Sequence, residues 1–540
     1  MCSASAFTLF KTGNFPSKKR ATNFVFRIYC IIFQNLKYMK TLALPLKAML
    51  LLLAIISITS CNSTDSTQHS GQNKETTMTK KKETLDKPRV PEWHKNANIY
   101  EVNLRQYTAE GTYKAFTKHL PRLKAMGVDL LWFMPVNPIS VKKRKGTMGS
   151  NYAVADYKKS NPEFGSLDDF REMMKAIHDQ GMYGIIDWVP NHTGWDNPWI
   201  AEHPEWFTQD KDGNVIDPID PETEESWGWT DVADLNFDNM DMRAAMIDAM
   251  AFWVTECNVD GFRCDVAHNV PVDFWATAAD SLYAIRPLYM LAEAEVPAIV
   301  NNGAFVVDYA WEFHHLLNDI AKSQGANRSS KKLVKGNIVE GSKTIKNIKT
   351  ALDIDEMIAK KREAYTKGYQ MNFTSNHDEN AWSGTEMARF GDGHLTFAVL
   401  TATLEGTSLV YSGQESAMDK QLEFFEKDTI EWGTFEYADF YRTLNTLKHQ
   451  NKALWNGAAG GLIQRIPTGK DEAVYAFTRE KDGDKVLVIL NLSSDKQAIK
   501  LEGDSYVGDY SNVFANETKK LMEDMTMNLK PWDYLVFSNK

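Results

Sequence analysis

The chain has 540 residues, of which 43% are hydrophobic and 24% are charged, so it holds ample apolar material for a large core. This length exceeds one ordinary domain and is typical of a barrel with an accessory domain. The formal net charge of −10 excludes nucleic acid as an expected partner, because no basic excess is available to neutralise phosphates.

The N-terminal segment has the features of an export signal. Lys40 precedes an apolar run over residues 48–58, and small polar residues follow this run directly before Cys61. The pattern resembles the lipobox of a bacterial lipoprotein, in which Cys61 becomes the acylated first residue. We therefore expect residues 1–61 to be a targeting region translated from Met39, and the exported protein to be lipid-anchored in a membrane, facing the periplasm or the cell surface. A plain signal peptide or an uncleaved anchor is the alternative.

The segment after the cysteine is polar. Residues 62–91 are rich in Ser, Thr, Lys and Gln. They lack the apolar side chains that a packed core needs, so this composition predicts a flexible tether. Folded structure is expected to begin near Trp93.

From Ile99 onward, short apolar runs alternate with helical stretches. Helices are predicted over residues 112–126, 166–180 and 242–256, with Ser166 as the N-cap of the second. Eight strands are predicted, over residues 99–104, 128–135, 183–189, 261–265, 289–292, 305–309, 370–374 and 407–411. This α/β alternation predicts a (β/α)8 TIM barrel over residues 92–454.

Two segments depart from a plain barrel. Residues 193–238 are aromatic and rich in turn residues, which predicts an elaborated loop subdomain after the third strand. Within it, residues 210–214 lack the spacing of a calcium-binding EF-hand loop and predict a hairpin turn. Residues 455–540 change to alternating strands, which predicts a C-terminal antiparallel β-sandwich domain.

Polar side chains cluster where the predicted barrel strands end. In a barrel of this kind, catalytic residues lie at the carboxyl ends of different strands. The third, fourth, fifth and seventh strands end in Asp187 to His192, Arg263 to Asp265, Glu293 to Glu295, and Asn376 to Asp378. The sequence therefore predicts a site rich in carboxylates, with histidines and an arginine, on one rim.

These four stretches, in this order, resemble the short sequence regions of the α-amylase family of glycoside hydrolases. Further pieces fit the same family, namely residues 149–152, 156–157, 234–236 and 406–415. The resemblance implies an enzyme that acts on α-glucan oligosaccharides and needs no cofactor for its chemistry. It covers the chain from about Trp93 to the C-terminus.

The resemblance assigns three carboxylates to the chemistry. Cleavage with retention takes one carboxylate to attack the anomeric carbon and one carboxylic acid to protonate the leaving oxygen, about 5–5.5 Å apart. Asp265 matches the nucleophile, and Arg263, on the same face of the strand, is expected to keep it ionised. Glu293 matches the acid/base, with Glu295 as the alternative because both face the same way if the strand continues. Asp378 matches the third carboxylate, which holds sugar hydroxyls.

Other residues are expected to bind the substrate. His192 and His377 match histidines that contact the sugar, and Tyr152 matches the residue that stacks on it. Arg263 belongs to the same binding group, and Asp187 is expected to support it. Structural roles in the core or in ion pairs are the alternative for each of these residues.

Calcium is the one metal that the resemblance suggests. Asn191 and Asp234 match positions that bind a structural calcium in many relatives, and oxygen ligands suit that ion. The Lys-His pair that often follows the nucleophile is absent, since residues 266–269 read Val-Ala-His-Asn. The sequence therefore leaves calcium binding open.

The exact reaction is also open. Residues 266–270 and 274–275 resemble the neopullulanase and cyclomaltodextrinase branch more than other α-amylases. The preferred reading is an α-amylase-like hydrolase of starch fragments or malto-oligosaccharides, but an α-glucosidase, a neopullulanase or a 4-α-glucanotransferase would use the same residues. A non-catalytic starch-binding lipoprotein is disfavoured, because such proteins typically lack one of the three carboxylates. The sequence does not predict an oligomeric state.

Overall fold

A computed structural model of the protein describes residues 89–220, 223, 225–326, 348–515 and 517–540. These residues belong to one unit that spans Lys82–Lys540. The predicted targeting region, Cys61 and nearly all of the predicted tether lie outside the described residues. Within the described ranges, no helix combines the length and the apolar character needed to cross a bilayer.

The first ten strands build the barrel and one small hairpin. They are β1 (Ile99–Val102), β2 (Leu130–Phe133), β3 (Tyr183–Trp188), β4 (His192–Gly194), β5 (Val232–Asp234), β6 (Gly261–Cys264), β7 (Tyr289–Ala292), β8 (Val307–Tyr309), β9 (Tyr369–Asn372) and β10 (Thr407–Tyr411). Among the described residues, eight of these strands close into a parallel barrel in the order β1-β10-β9-β8-β7-β6-β3-β2, which confirms the predicted fold. The remaining two, β4 and β5, pair antiparallel in the segment after β3.

Helices separate the barrel strands. They are α1 (Leu104–Tyr107), α2 (Tyr113–Thr117), α3 (Leu120–Ala125), α4 (Leu167–Asp179), α5 (Trp199–Glu202), α6 (Met240–Glu256), α7 (Val272–Ile285), α8 (Pro297–Asn301), α9 (Trp311–Ser323), α10 (Leu352–Ala364), α11 (Glu386–Phe390), α12 (His394–Thr403) and α13 (Ala438–Gln450). Short 3-10 turns span Glu92–Lys95, Pro204–Trp206, Ala267–Asn269, Gly391–Gly393, Gln414–Ser416, Lys452–Leu454 and Gly457–Ala459, and a π-helical turn spans Glu379–Ser383.

Two local predictions need correction. The single helix predicted over residues 112–126 is two helices, α2 and α3, because Pro121 lies in the first turn of α3 and would clash with the preceding turn of a continuous helix. The strand predicted over residues 99–104 also ends earlier, at Val102, and all four residues of β1 are buried. A parallel barrel strand is covered on both faces, so no solvent-facing side remains.

The C-terminal domain is antiparallel, as predicted. Its strands are β11 (Ile463–Arg465), β12 (Val474–Lys481), β13 (Asp484–Asn491), β14 (Gln497–Lys500), β15 (Gly508–Asn512), β16 (Glu517–Leu521), β17 (Thr526–Leu529) and β18 (Tyr534–Ser538). Six of them form one sheet in the order β11-β12-β13-β18-β15-β16, and β14 pairs with β17. The layers of the sandwich are thus unequal, with the two-stranded sheet packed over one face of the larger sheet.

Candidate active site

The guanidinium of Arg263 lies at the centre of the barrel mouth. The side chain is fully buried, and its Nη1 donates to Asp187 Oδ1 and to Asp265 Oδ1, each at 2.8 Å. Its Nη2 lies 2.9 Å from Glu293 Oε2, and its Nε donates to the Tyr309 hydroxyl at 3.1 Å. One buried cation therefore gathers three carboxylates from three neighbouring strands, β3, β6 and β7.

Backbone contacts hold two of these carboxylates in place. The Asp265 amide donates to the Trp188 carbonyl at 2.8 Å, which extends the pairing of β6 with β3 by one residue. Val266 then turns into the left-handed region with φ of 35°, a conformation that costs energy for a β-branched residue. Its amide donates to Glu293 Oε2 at 2.8 Å. The strained turn after Asp265 thus orients the carboxylate of the next strand.

Glu293 and Glu295 point to different surroundings. Glu293 belongs to the Arg263 cluster, whereas Glu295 Oε1 lies 2.5 Å from Lys361 Nζ and accepts a hydrogen bond from Gln370 at 3.1 Å. The two side chains were expected to face the same way only if the strand continued, and β7 ends at Ala292, so that condition is not met.

A second cluster forms around His377. Its Nδ1 lies 2.5 Å from Glu101 Oε1, and its Nε2 lies 2.8 Å from the Tyr152 hydroxyl and 3.1 Å from Asp378 Oδ2. The Tyr152 hydroxyl also donates to Asp187 Oδ2 at 3.0 Å. Tyr152 therefore links the His377 cluster to the Arg263 cluster, and the three carboxylates predicted for the chemistry lie in one connected network.

His192 is buried on the adjoining hairpin. Its ring lies 5.8 Å from Trp229, and its Nδ1 lies 3.3 Å from Asn191 Nδ2. Among the described residues, its side chain shares no hydrogen bond with the Arg263 cluster. Burial lowers the pKa of His192 to about 4, so the imidazole is neutral near pH 7.

Burial dominates the electrostatics of the Arg263 cluster. It raises the pKa of Asp265 well above its ordinary value, the nearby Glu293 carboxylate adds to the rise, and Arg263 opposes it. Burial also raises the pKa of Asp187 to about 6, although the Arg263 guanidinium opposes this rise. Arg263 lowers the pKa of Asp265, but burial and Glu293 outweigh it, so the pKa of Asp265 goes against the expectation that Arg263 keeps this carboxylate ionised. The cluster favours a state in which one carboxyl holds a proton.

The Asp378 carboxyl has the opposite balance. Burial would raise its pKa, but the charge and hydrogen bond of His377 outweigh burial and lower it. Burial would lower the pKa of His377, but the Asp378 and Glu101 carboxylates raise it well above its ordinary value. The pair is therefore an ionised carboxylate against an imidazolium.

The two residues predicted for calcium supply few ligands. The Asp234 carboxylate accepts a hydrogen bond from Thr208 at 2.6 Å, and burial raises its pKa to about 6. The Asn191 amide nitrogen faces His192, and the Asn191 carbonyl accepts from the Leu235 amide at 3.1 Å. Calcium takes six to eight oxygens, and the described residues hold no group of three or more His, Cys, Asp or Glu side chains arranged to hold a metal ion. Asn191 and Asp234 do not fit a calcium site by themselves.

Sequence reasoning missed three contributors. Glu101 lies on β1 beneath His377, Trp132 on β2 donates its indole N–H to Asp187 Oδ2 at 3.2 Å, and Tyr309 on β8 meets Arg263. A charged residue inside an otherwise apolar strand was the available signal for Glu101. Trp132 and Tyr309 resemble ordinary core residues in the sequence, and their spacing does not distinguish them from the core.

Comparisons with known proteins agree with this geometry. The model of the alpha amylase catalytic domain matches residues 63–451, and the model of the alpha-amylase SusG C-terminal domain matches residues 474–536. Alpha-amylase MalA of Haloarcula japonica is 26% identical over 435 residues, which are 76% of this chain and 58% of MalA. The chain thus spans little more than half of that relative.

One solved structure and one transferase are also similar. The noncanonic maltogenic alpha-amylase AmyB of Thermotoga neapolitana superposes with a TM-score of 0.70 at 26% identity, covering 82% of this chain and 98% of AmyB. The alpha-1,4-glucan:maltose-1-phosphate maltosyltransferase of Rhodospirillum rubrum is 31% identical over 217 residues, 36% of this chain and 31% of that protein. The catalytic-domain match contains every strand of the barrel, and the chain therefore belongs to the α-amylase family.

Proposed function

We propose that this protein is a retaining α-glucan hydrolase that cleaves α-1,4 glucosidic bonds in starch fragments or malto-oligosaccharides. One observation carries the proposal: the buried guanidinium of Arg263 holds Asp265 and Glu293 side by side at the ends of neighbouring strands. Two adjacent carboxyls on one rim of a barrel are what double displacement at an anomeric carbon requires.

The roles follow from the contacts. Asp265 attacks the anomeric carbon while Glu293 gives its proton to the leaving oxygen, which forms a covalent glycosyl-enzyme. Glu293 then takes a proton from water, and that water breaks the glycosyl–Asp265 bond on the original face. Arg263 stabilises the negative charge of Asp265 in the free enzyme.

The remaining residues of the clusters bind the sugar. We assign Asp378, with its carboxylate kept ionised by His377, to the sugar hydroxyls. Tyr152 offers its ring face next to both clusters, and His192 lines the adjoining hairpin. Calcium has no part in these steps, and a structural calcium would need ligands beyond Asn191 and Asp234.

Replacing the nucleophile is the direct test. Asp265→Asn is expected to abolish cleavage of amylose while leaving folding and maltoheptaose binding intact, because Asn keeps the shape and loses the nucleophile. Proton NMR of early products from the wild type is expected to show the α-anomer. Substantial turnover by the variant, or β-anomer as the first product, would overturn the proposal.

The two candidate acids form a matched pair. Glu293→Gln is expected to lower kcat for amylose by about a hundredfold or more, the range of lost general acid catalysis. Glu295→Gln removes the same charge next to Lys361 and is expected to leave most activity. Equal losses in the two variants would contradict the assignment of Glu293.

A glycosyl transferase is the second candidate function. The similarity to a maltosyltransferase favours it, and a transferase would form the same covalent intermediate before passing the sugar to a hydroxyl instead of water. An α-glucosidase or a neopullulanase would also use this site. A product profile on amylose, pullulan, cyclodextrin and maltose separates the four activities, because each leaves a different set of products.

We also propose that the enzyme is an exported lipoprotein held to a membrane through Cys61. The apolar run before this cysteine supports the proposal. Labelling of growing cells with a radioactive fatty acid is expected to mark the wild type and not Cys61→Ala. Equal labelling of the two would refute the anchor.

A further inference from the structure

A large aromatic side chain lies open to solvent directly beside the catalytic network. Trp382 is 60% exposed and belongs to the π-helical turn Glu379–Ser383, which begins directly after Asp378. Its indole also lies close enough to the Asp378 side chain to help lower the pKa of that carboxyl. An exposed tryptophan loses the benefit of burial, so its position at the mouth of the site calls for a ligand that covers it.

A series of ring contacts joins Trp382 to the sugar-stacking residue. Tyr152 lies 5.5 Å from His377 and 6.3 Å from Phe424, with interplanar angles of 17° and 14°. Phe424 lies 5.2 Å from Trp382, and Phe425 lies 6.0 Å from it. The aromatic surface therefore continues without interruption from the catalytic network to solvent.

The segment that carries the phenylalanines is fixed to the site. Asn380 Nδ2 donates to the Lys420 carbonyl at 3.0 Å, and its Oδ1 accepts from the Leu422 amide at 2.9 Å. The Met148 amide donates to the Phe425 carbonyl at 3.0 Å. These hydrogen bonds tie the rings to the π-helical turn and to the loop after β2, so the surface is formed before any ligand arrives.

We propose that Trp382, Phe424 and Phe425 form an aromatic platform that stacks on glucose units beyond the unit held at Tyr152, and that this platform makes the enzyme prefer long α-glucans over short ones. The inference rests on the proposed function, since the occupant is a further part of the same glucan chain. The C–H faces of a pyranose are uncharged and flat, which suits a tryptophan face.

The kinetic test compares a long and a short substrate. For Trp382→Ala, kcat/KM on amylose divided by kcat/KM on p-nitrophenyl α-maltoside is expected to fall by about tenfold or more, the scale of a lost stacking contact. Trp382→Phe keeps a flat ring and is expected to restore most of the ratio. Leu462→Ala is the matched control, because Leu462 is equally exposed at 60% and lies away from the mouth, beside β11.

Each outcome decides the proposal. An equal fold loss of kcat/KM on both substrates would show that Trp382 acts only through Asp378, and unchanged kcat/KM on both substrates would show that there is no platform; either result overturns the inference. If the wild type cleaves no α-glucan, the proposed function fails, and a binding measurement then tests the aromatic platform by itself. Asp265→Asn and Asp265→Asn/Trp382→Ala are then compared for maltoheptaose affinity, with at least about a tenfold loss expected in the double variant.

Discussion

At the scale of single residues, Glu101 sets the charge of His377, which is predicted to contact the sugar. Its side chain is fully buried, and its Oε1 lies 2.5 Å from His377 Nδ1. Together with Asp378 it raises the pKa of His377 well above the ordinary value. The imidazolium in turn keeps Asp378 ionised, so one buried glutamate controls the charge of two residues that are predicted to bind the sugar.

Removing the charge of Glu101 is expected to change the pH dependence of kcat/KM. Glu101→Gln keeps the size of the side chain and lowers the pKa of His377, because one of the two carboxylates that raise it is gone. The imidazolium is then lost at a lower pH, and the alkaline limb of the kcat/KM profile is expected to shift to lower pH. Glu312→Gln, on the surface of α9, is the control and is expected to leave the profile unchanged. An unchanged alkaline limb in Glu101→Gln would contradict the charge coupling.

The site residues that sequence reasoning found share one property. Asp265, Glu293 and Asp378 follow strand ends, where a polar residue interrupts an apolar run and the barrel topology tells which rim it joins. Glu101 and Tyr309 lie inside strands that are buried on both faces. In such strands no alternation of exposure separates side chains that point into the barrel from those that point out, so their place in the site needed coordinates.

At the scale of elements, the close approach of β6 and β7 depends on Gly261. Its φ is 153°, and a Cβ there would lie 1.9 Å from the carbonyl oxygen of Tyr289 on the next strand. The two strands carry Arg263 with Asp265 on one side and Glu293 on the other. The glycine therefore determines the spacing between Asp265 and Glu293.

A methyl group at this position is expected to damage both fold and activity. Gly261→Ala forces backbone against backbone, and the free energy of unfolding is expected to fall by roughly 3 kcal/mol or more. Gly184→Ala on β3 is the matched control, because its Cβ meets only the flexible end of Met174 at 2.9 Å. Urea unfolding and kcat/KM measure the two effects, and similar losses in both variants would refute the argument.

Helix starts were easier to predict than helix continuity. The Ser166 hydroxyl accepts from the Asp169 amide, and the Asp169 carboxylate accepts from the Ser166 amide, so a capping box opens α4 where the sequence predicted its start. The break between α2 and α3 was missed because the apolar pattern continues across it while Pro121 interrupts the backbone hydrogen bonds. Local chemistry decides such boundaries, and periodicity does not reveal them.

The cap has a measurable effect on stability. Ser166→Ala leaves the Asp169 amide without its acceptor and is expected to lower the free energy of unfolding by about 1 kcal/mol. Ser281→Ala is the control, since the Ser281 hydroxyl only donates back to the Thr277 carbonyl within α7. Values of kcat/KM are expected to stay unchanged in both variants. Equal stability of the two would show that the cap contributes nothing.

At the scale of the whole molecule, the barrel and the C-terminal domain share a core. Tyr475, Phe477 and Val488 point from β12 and β13 into one apolar cluster with Leu317 of α9 and Phe397 of α12. The other face of the same sheet packs against β14 and β17. The change of pattern near residue 455 marks a change of architecture, and the sequence alone could not show that the two parts are built around one core.

Arg479 on β12 joins the two parts through hydrogen bonds. It is buried without a carboxylate partner among the described residues, and burial lowers its pKa to about 10. Its guanidinium donates to the carbonyls of Thr403 and Leu404 at 3.0 and 2.6 Å, to Gly461 at 2.8 Å and to Trp455 at 3.1 Å. Those carbonyls lie at the end of α12 and in the connection into the domain. One side chain therefore satisfies several buried acceptors at once.

The shared core predicts that barrel and domain unfold together. Calorimetry of the full chain is expected to show one transition, because opening the C-terminal sheet exposes the apolar cluster that it shares with the barrel helices.

Arg479→Ala is expected to lower the free energy of unfolding by roughly 3 kcal/mol or more, since buried carbonyls lose their donor. Lys481→Ala, two residues along β12, removes a half-buried side chain whose hydrogen bond to the Ala458 carbonyl is exposed, and it is expected to change this free energy by less than about 0.5 kcal/mol. Two separate transitions, with Arg479→Ala moving only the smaller one, would show instead that the domain is stable on its own and that the barrel does not depend on it.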